Sequence, residues 1–224
     1  MAEITGFNPD KVKREMQLFE DEGMKVYNSI VKANSEFMDG LSKSWWSQYA
    51  VEFGEKQTPN LLEAQEIVKL LINNTIVDTI NAYNELAASN GEPTISDDHS
   101  EMEDFNPELV PNGTYGDLED MLSVSPDGDV GMKLESVRQL LQTYENAIYQ
   151  IIDVDIDAIP MNISFFDPGS ALQLAYQQKV QEVKNKLDEK LKGVYAAVNA
   201  HLDDEMLLVE EGAEGAADAM GGGA

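Results

Sequence analysis

From Asn8 onward, apolar or small residues fall at Val12, Met16, Phe19, Gly23, Val26, Ile30, Ala33, Phe37 and Leu41, in alternating steps of four and three that close on four. Such spacing lines one side of a helix with a heptad stripe. Asn8 can cap the helix, Pro9 suits its first position, and Asp10 favours the positive end of the helix dipole, so the pattern predicts a helix over about 9–43. At about 1.5 Å per residue this is a rod of roughly 50 Å. It cannot bury its stripe alone and requires a partner of similar length.

A break at Ser42-Lys43-Ser44-Trp45-Trp46-Ser47 precedes a second helical pattern through Leu61, Ala64, Val68, Leu71, Thr75, Ala82 and Leu86, with Pro59 near its start. The proline either kinks this helix or opens its main segment after Thr58. Between Lys69 and Lys133 no Lys or Arg occurs, while carboxylates, prolines and glycines accumulate. This composition predicts an irregular acidic linker over 91–131, with a short helix at Asp117–Leu122. Periodicity returns at Val137, Leu141, Tyr144, Ile148 and Ile152 and stops at Ala158-Ile159-Pro160. A fourth helix is expected to open at Asp167-Pro168 and to carry the stripe Ala171, Leu174, Tyr176, Val180, Val183, Leu187, Leu191, Val194, Val198 and Leu202. The expected fold is all-α, with long antiparallel helical hairpins forming a four-helix bundle or a coiled-coil-like pair of hairpins. Its parts are a hairpin over 8–90, the linker over 91–131, a second hairpin over 132–204, and a flexible acidic, Gly/Ala-rich tail over 205–224.

The 224 residues carry 42 acidic and 15 basic side chains, for a net charge of −27. A charge of this sign repels phosphate backbones and anionic bilayers, which argues against nucleic acid as a partner. With 42% hydrophobic residues the chain can build a core, and without cysteine it has no disulfide, thiolate metal site or Cys nucleophile. No apolar run approaches the roughly 20 residues of a membrane span, so membrane insertion is not expected. The amino-terminal residues lack a basic region followed by an apolar one. Secretion, if it occurs, is therefore expected without a cleaved signal peptide, the alternatives being a cytoplasmic or virion-associated protein.

The turn between the first two helices reads Trp45-Trp46-Ser47-Gln48-Tyr49-Ala50-Val51-Glu52-Phe53. Trp45, Ala50 and Phe53 stand at the offsets of the hairpin-turn motif of the Trp-x-Gly family of type VII secretion substrates, with Ser47 where that family prefers glycine. In length, hairpin order, proline-opened first helix and turn motif, residues 8–90 resemble this family. The resemblance implies a non-enzymatic helical protein that works through protein contacts, with a secretion ATPase, a similar helical partner or a second copy of itself. In the family the tip near the turn is thought to engage a docking domain of the ATPase. Physically, a tryptophan closes the end of a long hairpin, a small residue lets the backbone turn, and Ala50 and Phe53 continue the packing face. Phe166, Ala171 and Leu174 repeat the mutual offsets of Trp45, Ala50 and Phe53, with Gly169 in the same turn, so a tandem of two degenerate hairpins is expected.

Two export signals accompany the family. Tyr195 is followed at the relevant distance by Asn199 rather than a carboxylate, so the first is absent there. His201, Glu205 and Leu208 fit the beginning of the second, whose closing histidine is replaced by Gly212. His201 is otherwise expected as a solvent-facing helical residue, and His99 as a solvated residue of the linker. Asp153, Asp155 and Asp157 alternate as in a calcium loop, but Ala158 and Ser164 stand where such a loop places glycine and glutamate, which favours an acidic helix terminus. No phosphate loop, zinc motif or nucleophile constellation is present in the sequence, and no catalytic, metal or cofactor residue is assigned. The competing reading is a phage or cell-envelope assembly protein in which the Trp pair is only a core plug.

Overall fold

The computed structural model describes residues 8–95, 131–162, 164 and 170–219. Among them are four α-helices: α1 (Pro9–Ser42), α2 (Gln48–Asn90), α3 (Leu134–Gln150), which passes into a π-helical turn at Ile151–Ile156, and α4 (Ala171–Ala219). Two short strands, β1 (Trp45–Trp46) and β2 (Gly131–Met132), complete an all-α helical-bundle fold. The interior of the linker, with the short helix expected at Asp117–Leu122 and with His99, lies outside the described residues, as do Phe166 and Gly169.

Two compact units form. Among the described residues, the first draws on 8–31, 64–95 and on those between 149 and 190, the second on 32–63, 131–148 and 191–219.

In the first unit, α1 and α2 meet at Gly23, where a Cβ would stand 2.7 Å from Cδ1 and Cγ1 of Ile72. A residue without a side chain is what permits that approach. Phe19 meets Tyr176 of α4 edge to face, ring centroids 6.2 Å apart, a favoured aromatic geometry. The α2 stripe holds at Leu61, Ala64, Val68 and Thr75, which are buried, but Ile72, Tyr83 and Ala87 are buried where Leu71, Ala82 and Leu86 were expected, and those three are only partly so. Ile72 fills the space left by Gly23. α2 ends at Gly91, whose φ of +69° is the left-handed conformation of a helix stop. The amide of Glu92 donates to the Ala87 carbonyl at 2.9 Å and that of Gly91 to Ala88 at 3.2 Å, the paired bonds of a Schellman motif. The chain then folds back on α2, with the Asn84 side chain donating to and accepting from the backbone of Ile95.

Also in the first unit, the π turn admits an extra residue per turn and directs Ile151, Ile152 and Ile156 inward, with Ile159 after them. α4 is tied to the segment after it: Tyr176 donates to the Pro160 carbonyl at 3.1 Å and Lys184 to that of Asp157 at 2.9 Å. α4 is described from Ala171; Asp167-Pro168, where it was expected to open, lie outside the described residues. The Ser170 hydroxyl accepts from the Gln173 amide at 3.2 Å, so the cap is a serine. The inward positions of its first turns are Gln173 and Tyr176; Ala171 and Leu174 are exposed, contrary to the stripe expected there.

The second unit contains the turn between α1 and α2. Phe37 of α1 stacks on Tyr144 of α3 at 4.5 Å and 22°. The Tyr144 hydroxyl donates to the Asn34 side-chain carbonyl at 2.9 Å, and the Asn34 amide donates to the Leu61 carbonyl at 3.2 Å. Three helices are thereby joined through buried, satisfied polar groups. Gly40 lies against Leu140, which leaves no room for a Cβ. α2 runs unbroken through Pro59, so the helix does not begin after Thr58. Pro59 and Glu55 both occupy exposed positions, where water can hydrate the Glu55 carbonyl that lacks its usual amide. α4 continues as helix through residues 205–219, where a flexible tail was expected.

Candidate functional site

The turn of the first hairpin is built by β1 and the first turns of α2. Trp45 is 2% exposed and its ring lies 5.6 Å from that of Phe53, tilted at 59°. Ala50 and Phe53 are fully buried. Ala50 and Phe53, three residues apart in the first turns of α2, fall on one side of that helix, the side on which the Trp45 ring packs. Ser47 is the N-cap of α2: its hydroxyl accepts from the Ala50 amide at 3.1 Å. Among the described residues no non-glycine residue has positive φ, so the Ser47 backbone makes no demand that only glycine meets, and its hydroxyl satisfies a helix-end amide that glycine would leave open.

Around this turn the structure places residues that the sequence did not single out. β1 pairs antiparallel with β2, Trp45 opposite Met132 and Trp46 opposite Gly131. The Lys133 amide extends the ribbon by donating to the Ser44 carbonyl at 2.8 Å. The Lys133 ammonium sits 4.8 Å from the centre of the Trp46 ring, within the range of a cation–π contact. Trp46 is half-buried and Tyr49 exposed, so the Trp pair divides its work. Trp45 packs inward, and Trp46 stays at the surface under a lysine.

His201 is not solvent-facing. Its ring packs 5.0 Å from Phe53, Nδ1 is 3.1 Å from the Gln57 amide nitrogen, and the side chain is 19% exposed. It stands one helical turn before Glu205, with Nε2 3.9 Å from Oε1. Two of the three residues of the candidate export signal are thus adjacent on α4, and His201 joins the Trp45–Phe53 cluster. Leu208, the third, is 60% exposed.

The second-turn residues do not reproduce this arrangement: Ala171 and Leu174 are exposed where Ala50 and Phe53 are buried. Asp153, Asp155 and Asp157 lie in or beside the π turn, and among the described residues no group of three or more metal-binding side chains converges. Asp157 faces Lys184 at 3.9 Å. Burial pulls the Lys184 ammonium below its ordinary pKa, and the Asp157 charge opposes that pull. No described helix is long and apolar enough to cross a membrane.

No protein-family model, no curated protein and no solved structure matches the chain.

Proposed function

We propose that this chain is a non-enzymatic substrate of a type VII secretion system, or a Trp-x-Gly-like helical partner of such a substrate, acting through protein contacts. The observation that carries this reading is the joint burial of Trp45, Ala50 and Phe53 at a hairpin turn capped by Ser47. An apolar tip held by packing and a helix cap is suited to recognition as a preformed surface, because little order has to be imposed when a partner docks. Trp46, Tyr49 and Lys133 are among the groups of that tip that reach solvent.

The test is export from a native host with and without the secretion ATPase. Appearance in the culture supernatant that depends on the ATPase supports the proposal, and export independent of it removes the proposal. Deleting residues 203–224 tests the His201–Glu205–Leu208 signal separately, since undiminished export would deny it a role.

The lengths of α2 and α4, 43 and 49 residues, also suit a phage or cell-envelope scaffold, since both are several times the usual helix length. Capsid and tail genes beside this one would favour that reading. A membrane ATPase gene beside short helical-hairpin genes would favour export.

A further inference from the structure

We infer that the last stretch of α4, centred on Leu207 and Leu208, is a docking surface for a basic amphipathic helix of a partner protein. The inward stripe of α4 continues through Val198 and Leu202 and closes at Met206, yet the helix runs on to Ala219. Directly after the last buried residue come Leu207, Leu208 and Val209, which are 53%, 60% and 36% exposed. Leu207 and Leu208, about 100° apart round the helix, both leave most of a large aliphatic side chain in water, and Val209 lies a further step round.

The charges around them select the occupant. Residues three or four apart on a helix are neighbours. By that spacing Leu207 is flanked by Asp203, Asp204, Glu210 and Glu211, and Leu208 by Asp204, Glu205 and Glu211. After Lys192 the sequence contains no Lys or Arg at all. The surface is therefore an apolar centre within an anionic rim. It complements a helix whose apolar residues are flanked by lysines or arginines. A second copy would bring the same carboxylates against these, at a net charge of −27 per chain, and an anionic bilayer would be repelled in the same way. The chain already makes one contact of this kind: the Arg138 guanidinium of α3 pairs with Glu210.

The proposal does not depend on export. Its probe is a fluorescein-labelled Leu/Lys amphipathic peptide of about 18 residues, long enough to be helical when bound, compared with a Ser/Lys peptide of equal charge. Anisotropy titrations at about 0.15 M salt use the full chain and its Leu207→Ser/Leu208→Ser variant. Both leucines are exposed, so the variant is expected to keep the wild-type circular dichroism and melting. The Leu/Lys peptide should bind the wild-type chain at least roughly tenfold more tightly than the variant. The Ser/Lys peptide should not distinguish them, and hydrogen exchange over 203–214 should slow on binding. Equal affinity of the Leu/Lys peptide for both chains, or slowed exchange elsewhere only, would overturn the proposal. So would a dimer of the chain alone, seen in sedimentation and lost in the double variant, since the face would then belong to a second copy.

Discussion

Gly23 and Ile72 lie so close that a Cβ on the glycine would stand 2.7 Å from two carbons of the isoleucine. Ile72 is fully buried. Two opposing effects act in Gly23→Ala: a gain of up to about 1 kcal/mol in helix propensity and an overpacking cost of about 1–3 kcal/mol. Because the contact is with Cγ1 as well as the terminal Cδ1, rotation of the side-chain end does not relieve it, and overpacking prevails. Urea denaturation should show Gly23→Ala to be destabilised and Gly23→Ala/Ile72→Ala to lose less than the sum of its two single changes. Gly193 is the control: its Cβ would meet nothing within 4 Å, so Gly193→Ala should stabilise by up to about 1 kcal/mol.

The Ser47 cap gives a prediction that runs against the family preference. Ser47→Ala removes the acceptor for the Ala50 amide and should cost about 1 kcal/mol, whereas Ser47→Gly should cost only a few tenths. Thermal melts of the two variants check the order. A larger loss for glycine would mean that the turn depends on something other than the cap.

The two predictions draw on different levels of legibility. α1 could be read in full, because all nine positions of its stripe are inward and one regular helix serves them. On α2 the helix and the inward positions Leu61, Ala64, Val68 and Thr75 were legible, but Leu71, Ala82 and Leu86 are neighbours of equally apolar Ile72, Tyr83 and Ala87, and adjacent apolar residues leave the choice between them to packing, as at Ile72 against Gly23. Ala171 and Leu174 failed for a related reason, since shared offsets with Ala50 and Phe53 say nothing about which side of α4 is covered. The Ser170 cap of α4 went unread beside Asp167-Pro168, two cap signatures within one short stretch. At the tip, Trp45, Ala50 and Phe53 were legible as a local motif. The pairing of Trp45 with Met132, the Lys133 ammonium over Trp46 and the packing of Phe53 on His201 were not, because those partners are brought in from distant parts of the chain and no local pattern announces them.

Tyr144 and Asn34 form a polar pair inside the second unit, and Tyr144→Phe would keep the stack on Phe37 while removing the donor to Asn34. Asn34 is 1% exposed, so its carbonyl would lose its partner in a place with little access to water. The expected loss is about 1–3 kcal/mol. Tyr144→Phe/Asn34→Leu would remove both ends of that bond and should cost less than the two single changes together, a coupling that a double-mutant cycle in urea measures directly. Strict additivity would show that the bond contributes nothing.

Alkaline pH provides the remaining prediction. Burial raises the phenol pKa of Tyr27, Tyr83, Tyr144 and Tyr176, with negative charge adding to it at three of them: Glu66 at Tyr27, Glu92 at Tyr83 and Glu15 at Tyr176. Tyr27 is pushed from 10.0 to about 12. In the unfolded chain these phenols lose their protons near pH 10, while in the folded chain they keep them, so above pH 10 the folded state binds more protons. Stability is then fully present below pH 10 and falls as pH rises toward the folded values, by roughly 1.4 kcal/mol per pH unit for each such tyrosine. In phenolate absorbance the buried four should appear only in a steep step that coincides with loss of helical circular dichroism. Replacing Tyr27 with Phe should shift that step to higher pH, because the variant no longer gains from ionising that residue on unfolding; an unmoved step would mean that Tyr27 does not contribute to alkaline unfolding.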